Sequence, residues 1–325
     1  MALLSSVVQV GLESTYNTFA SPTRAYEGMV DNFTRDQTFL ESVGFRAGLE
    51  TVRDDRTKAV MLGGSGSLEL DFMRHGMGLL LQGMIGTVSG PTQVAATTAY
   101  TQDHATASAD PGNSFTIQWL RSVTDGSTQV FTYTGCTVTG WSLSQGTDGF
   151  LKINIDFDFA NENTTDAAAT PVYVTTTPFC FVEASVEIDT SAIENVTELD
   201  FASTVATKTD RRYLRNSAVK KQPRRNGVPE YTGNLTVDFD STTMYDDFVA
   251  NTHRQLTFRW IGATDEIESG QTFEVTLDMP VVELRGDTPN VSLSDLTMQP
   301  VPFKVLHDGT NPAYTLSLKS TDTAL

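Results

Sequence analysis

The feature that most constrains this chain is that its second half repeats its first. Gly66-Ser67-Leu68-Glu69-Leu70-Asp71-Phe72 returns as Gly233-Asn234-Leu235-Thr236-Val237-Asp238-Phe239. Phe115-Thr116-Ile117-Gln118-Trp119 answers to Leu256-Thr257-Phe258-Arg259-Trp260, and Phe131-Thr132-Tyr133-Thr134 to Phe273-Glu274-Val275-Thr276. A short helical pattern follows each copy of the first segment, so the order of elements repeats as well. A period of this kind marks one supersecondary unit used twice. A doubled unit presents two similar surfaces, which makes self-assembly the first question and chemistry the second.

Within each copy the dominant pattern is alternation. Leu151, Ile153, Ile155, Phe157 and Phe159 are apolar, while Lys152, Asn154, Asp156 and Asp158 between them are polar. The same two-residue period runs through 66–72, 180–189, 233–240 and 273–278. Period-two patterning places one side-chain set on a core face and the other in water, the habit of antiparallel sheets. A mainly β fold follows. Two helices are predicted, over 73–85 and 242–252, the second with Thr242 or Thr243 as its cap. Trp119, Trp141 and Trp260 lie within alternating segments, which points to core packing.

Two segments break the pattern. One spans about 33–66 and carries Arg35, Arg46, Arg53, Arg56 and Lys58. The other spans about 203–232. Both precede the repeated Gly-x-Leu strand, so they occupy equivalent positions, and long loops inside compact domains tend to be functional. The stretch 88–113 occurs in the first copy only and reads as a surface insertion. The small, polar residues 161–178 read as a boundary between domains 1–165 and 166–325.

Net charge is -18, from 22 basic and 40 acidic residues. Non-specific nucleic-acid binding needs a basic face, and the chain has the opposite sign overall. The basic residues cluster: Lys208, Arg211, Arg212, Arg215, Lys220, Lys221, Arg224 and Arg225 fall together with only Asp210 among them. A basic segment on an acidic body suits docking onto another copy of the chain. The polar-phase acids Glu69, Asp71, Asp156, Asp158, Asp238, Asp240, Glu274 and Asp278 suggest a negatively charged channel wall, past which a polyanion slides without sticking. Simple solubility is the plainer account of the same residues.

Motifs for chemistry are missing. His75, His104, His253 and His307 form no metal-spaced cluster with Cys, Asp or Glu. Gly63-Gly64-Ser65-Gly66-Ser67 lacks the Lys-Ser/Thr of a phosphate loop and reads as a hinge before a strand. Asp156, Asp158, Asn161, Asn163 and Asp166 lack the glycine turn and terminal Glu of a calcium loop. Cys136 and Cys180 read as buried small hydrophobes; pairing is open. No run of about 18 apolar residues suggests a membrane span, and residues 1–10 lack the basic region of a signal peptide. The expectation is no enzyme and no cofactor.

Several stretches resemble tail tube proteins (major tail proteins) of long non-contractile-tailed phages. They are 10–19 (Val10-Gly11-Leu12-Glu13-Ser14-Thr15-Tyr16-Asn17-Thr18-Phe19), 42–48, Gly66-Ser67-Leu68-Glu69, Phe131 to Cys136, and the ending 319–324, in order along nearly the whole chain. The resemblance implies two tandem tube-type β-sandwich or barrel domains, each with a flanking short helix and a long loop reaching the next ring. It also implies stacked rings whose lumen carries tape-measure protein and later DNA. Tail terminator and tip proteins would be further partners, the virion tail the location, and the host cytoplasm the place of assembly. Doubled length matches the two-domain variant, which forms trimeric rings of pseudo-sixfold symmetry. The loops at 33–66 and 203–232 would then carry the inter-ring contacts, through Arg46, Arg53, Arg56 and Lys58 of the first and the eight clustered basic residues of the second. The other readings are a carbohydrate- or surface-binding β-sandwich of a phage tail or adhesin, a hydrolase on a β scaffold, and a hub or terminator of the same virion.

Overall fold

A computed structural model describes residues 6–44, 46–108, 112–286, 288 and 297–325. Phe45, Asn290 and residues 109–111 of the predicted insertion lie outside the described residues. Strand accounts for 53% and helix for 7%, so the fold is mainly β.

The first half contains β1 (Val7–Leu12), β2 (Arg24–Tyr26), β3 (Thr34–Arg35), β4 (Thr38–Glu41), β5 (Thr57–Met61) and β6 (Gly64–Asp71). Helix α1 (Gly78–Met84) follows, then β7 (Gly86–Gln93), β8 (Tyr100–Thr106), β9 (Phe115–Ser122), β10 (Thr128–Gly146), β11 (Lys152–Phe159) and β12 (Asn161–Asn163). The second half contains β13 (Ala184–Ile188), β14 (Ser191–Ile193), β15 (Val196–Thr204), β16 (Thr207–Lys208), β17 (Arg224–Arg225) and β18 (Glu230–Asp238). Helix α2 (Thr243–Ala250) is followed by β19 (His253–Glu268), β20 (Gln271–Leu284), β21 (Met298–Val305) and β22 (Thr315–Ser320).

The duplication extends to strand pairing. In the first half β1–β2, β1–β9, β9–β10, β10–β11, β10–β12, β11–β6 and β3–β6 are all antiparallel. The second half repeats them as β13–β14, β13–β19, β19–β20, β20–β21, β20–β22, β21–β18 and β15–β18. The small β4–β5 sheet has its counterpart in β16–β17. Among the described strands only β7 and β8 have none.

The repeated Gly-x-Leu motif has a packing cause. A Cβ at Gly66 would land 2.5 Å from the Phe33 ring, and one at Gly233 would land 2.4 Å from Phe303 and 2.2 Å from the Asp200 carbonyl. Each glycine lets an aromatic ring lie against bare backbone. The stretch 63–67 is therefore no hinge, because β6 begins at Gly64 within it. The alternating apolar residues fill one core with Phe157, Phe159, Phe201, Phe258 and Phe303. All three tryptophans are buried, as alternation predicted, which removes them as an exposed sugar-stacking platform. Cys136 is buried and Cys180 half-buried, and both are free thiols.

The two halves share sheets. The C-terminal part of β10 pairs with β15, and β8 pairs with β22. The segment 88–113 is thus more than surface cover: its strand β8 extends the second half's sheet, with Gln102 and His104 buried. Burial pushes His104 down to about 4, so it is neutral at physiological pH. The stretch after β12 is strapped across the outside of the first half's sheet. Carbonyls of Thr164, Ala167, Ala169 and Val172 accept in turn from Gln129, Gln118, Gln9 and Ala25 on successive strands. These bonds satisfy the buried amides Gln9 and Gln118, which otherwise would cost stability.

Helix α1 begins later than the apolar spacing predicts. Gly76 holds φ +84° and donates its N–H to Asp322 (2.7 Å), a geometry outside the right-handed helix. Helix α2 ends at Asn251 in the left-handed conformation, whose N–H caps Asp247 and Phe248 carbonyls. Thr242 precedes it, but its hydroxyl donates to the Asp246 carboxylate (2.9 Å) instead of accepting from the helix backbone.

Candidate assembly surfaces

One water-facing sheet surface runs through both halves. Cross-strand partners share a face, so the register can be followed strand by strand. Asp71 lies opposite Lys152, Lys152 opposite Ser144, Ser144 opposite Asp200, and Asp200 opposite Asn234. Parallel rows on the same face carry Glu69, Asp156, Glu198, Glu230, Asp238 and Glu283. The cations among them are Lys152, 3.7 Å from Glu69, Lys304, 3.7 Å from Glu230, and Arg285 just past the end of β20, 2.9 Å from Glu283. Burial raises the carboxyls of Asp71, Asp156 and Asp200. Glu69 adds repulsion at Asp71, against the pull of Lys152, and Glu198 does so at Asp200.

Of the acids picked out by strand parity, Glu69, Asp71, Asp156 and Asp238 belong to this face. The other four do not. Glu274 and Asp278 sit on the separate surface of β19, β20 and β22. Arg259 (2.7 Å) and Lys319 (2.9 Å) neutralise Glu274, and Gln255 and Thr257 donate to Asp278. Burial alone would raise Glu274, but these two cations hold it below its usual value. Asp240 lies past the end of β18, exposed. Asp158 has the right parity but is covered, 7% exposed, because Lys220 closes over it (Nζ–Oδ1 2.5 Å). Sequence parity does not single out Glu198, Asp200, Glu230 or Glu283, although Glu198, Asp200 and Ala202 alternate with Leu199, Phe201 and Ser203 in the sequence itself.

The raised carboxyls fix a pH response. A folded-state pKa above the unfolded value contributes stability at low pH that is lost as pH rises through it. Glu13, Asp71, Asp156, Asp158 and Asp200 are all raised. His104 acts the other way, because its ring, lowered to about 4 by burial, takes up a proton more readily in the unfolded chain as pH falls. With His104 replaced by Gln, the dispersed chain is therefore expected to gain thermal stability as pH falls from 7 toward the ordinary carboxylate range. Below that range the lowered Glu274 and Asp322 take up protons and reverse the trend. Calorimetric Tm of the His104→Gln variant across pH 4–8 checks this; a Tm that falls steadily from pH 7 downward in that variant would contradict it.

The two irregular segments differ. The first is the β4–β5 hairpin, exposed along its length, with Phe39, Leu40, Val43, Leu49, Val52 and Met61 in water. Arg46, Arg53 and Arg56 line a cleft at its tip; Arg53 and Arg56 flank Asp55 (2.7 and 3.7 Å), and Lys58 is exposed on β5.

The second segment is a clasp on the first half. Lys220 is buried against Asp158. Arg212 donates to the carbonyls of Leu62 (3.1 Å) and Ala218 (2.9 Å), Arg211 to Gln222 (2.6 Å), and Arg215 to Val219 (2.6 Å). Arg225 donates to Ala107 (2.9 Å). The expectation of a wholly outward basic loop is corrected for Lys220, whose ammonium is inside the chain. Lys208, Arg215, Lys221 and Arg224 remain exposed, and the last three line an open cleft with Arg211, Tyr16 and Asn17.

The opening segment has a structural role. Glu13 is buried and accepts from Ser114 (2.7 Å), Thr116 (3.0 Å), the Gly135 N–H (2.8 Å) and the Asn17 N–H (2.8 Å). Burial raises its carboxyl while these four bonds oppose the shift. Glu13 thus ties residues 10–19 to residues 131–136, two stretches that were distinctive in the sequence.

No group of His, Cys, Asp and Glu suited to a metal occurs among the described residues. The oxygens considered for calcium are dispersed: Asp158 meets Lys220, and Asn163 donates to Asp166 (2.7 Å). No helix is long and apolar enough to cross a membrane.

No curated protein matches the chain. The family model described as phage tail tube protein matches residues 4–305, a span that takes in the first copy of the unit, the second as far as β21, the hairpin, the clasp and the acidic sheet face. The chain belongs to the phage tail tube protein family.

Proposed function

We propose that this chain builds the tail tube of a long non-contractile phage tail as trimeric rings. Units 1–165 and 166–325 act as one tube domain each, giving six per trimer and pseudo-sixfold symmetry. The observation that carries this reading is the single acidic sheet face running through both copies of the unit. Curved around an axis, that face lines a lumen in which acids outnumber cations and net charge repels a polyanion, so tape-measure protein and then DNA pass without being trapped by counterion release. The hairpin, and the exposed cations of the clasp, Lys208, Arg215, Lys221 and Arg224, reach the next ring. Tail terminator and tip proteins close the two ends of the stack, which is assembled in the host cytoplasm. The role is structural, with no catalytic step.

Negative-stain microscopy of the concentrated protein tests this. End-on views should show a central hole surrounded by six similar densities, and side views uniform tubes. Particles that remain single chains at millimolar concentration would sink the proposal.

A further inference from the structure

Strand β15 joins the two halves because both its edges are used, one along β18 and the other along the C-terminal part of β10. The first half holds an equivalent strand in β3 and the residues leading to it. Thr34 and Arg35 pair with Ser65 and Gly64. Met29 donates to the Glu69 carbonyl (3.0 Å), and Asp36 to that of Gly63 (2.7 Å). Phe33 enters the core as Phe201 does. The inner edge of residues 29–36 is thus occupied as in β15, but its outer edge meets no strand among the described residues. The end of β20, equivalent to the C-terminal part of β10, is also open. Beyond His253, where β19 begins, Arg285 keeps its bond to the Pro302 carbonyl of the β21 side (2.6 Å). It has no strand on its other side among the described residues.

We infer that these two open edges join different copies of the chain, Arg285 at the end of β20 pairing with residues 29–36 of the next copy. The junction repeats between chains the β10–β15 junction seen within one. The inference rests on the ring reading and names the surface that closes the ring.

The duplication also sets the register. Within the chain Gly140 faces Thr204, and they are flanked by Asp156 and Glu230. Asp156 precedes Phe157, which pairs with Gly66, as Pro302 precedes Phe303, which pairs with Gly233. Arg285, bonded to Pro302, therefore stands in the place of Gly140. Glu230 lies three residues before Gly233 as Gly63 does before Gly66, so Asp36 stands in the place of Thr204. Arg285 then faces Asp36 of the next copy. The charges are opposite, which the register argument did not presuppose, and cross-strand opposite charges attract. Both residues are exposed in the single chain. An uncovered strand edge invites pairing, and a head-to-tail junction whose rotation closes gives a ring.

The test is an Asp36→Cys/Arg285→Cys variant of the full chain in a Cys180→Ser background. Directly opposed residues lie about 4.5–5.5 Å apart at Cα, within disulfide reach. Mild oxidation of the assembled protein should convert most chains into a reducible covalent species with the copy number of one ring. A Ser142→Cys/Ala202→Cys control, opposed within the chain, should run as a monomer. As a second measurement, Asp36→Arg or Arg285→Asp should raise the concentration needed for ring formation roughly tenfold, and the double swap should restore it. Intact rings with neither cross-linking nor rescue would overturn this interface while leaving the ring. Absence of rings from the unaltered chain would overturn both.

Discussion

Lys220→Met is expected to destabilise the chain by about 3–5 kcal/mol, because it strands the Asp158 carboxylate in the interior. Lys220 is 6% and Asp158 7% exposed, and the second Asp158 oxygen has no other partner. Burial already raises Asp158, with Lys220 the main group opposing it. Removing the ammonium leaves desolvation opposed only by the more distant Arg212, and the carboxyl must protonate or the clasp must open. Lys220 comes from the second half and Asp158 from the first, so the loss should appear as a loosening between halves. The double variant Asp158→Asn/Lys220→Met should recover most of the stability, since no charge is then buried. Urea unfolding of the three forms measures this. If the single and double variants are equally destabilised, Lys220 acts through packing and not through charge.

The second large effect concerns assembly. Serine at Phe39, Leu40 and Val43 should leave the fold intact, because the hairpin contributes none of these side chains to the core. An isolated two-stranded hairpin is marginal in water, and one carrying this much exposed apolar surface needs a cover. If each of the three side chains is buried on the next ring at about 1.5 kcal/mol, their loss removes roughly 4.5 kcal/mol per hairpin, on the order of a thousandfold or more in the concentration at which rings stack. Sedimentation should then show rings where the unaltered chain gives tubes. Tubes appearing at an unchanged concentration would show that this hairpin is not the stacking element.

Much of the fold is visible in the chain because period-two patterning is a local property. The core phase of β11, β18 and β20 follows from alternation, and the matched Gly66 and Gly233 announce that the unit occurs twice. The same reasoning misplaced Asp158, since parity assigns a side but cannot see a lysine arriving from 62 residues away. It also gave Glu274 and Asp278 to the acidic face, because parity does not say which sheet a strand joins.

The sequence alone determined the mainly β class, the doubled unit, which residues enter the core, and where the two irregular segments fall. These depend on side-chain spacing along a strand and on self-similarity, both set within a few residues. Only the tertiary structure decided that β15 and β8 cross between the halves, that one basic segment is a clasp and the other an apolar hairpin, and that the acids of five strands form one surface. Those outcomes depend on which backbone edges meet, and hydrogen bonding between edges is satisfied equally well by many partners until long-range packing selects one.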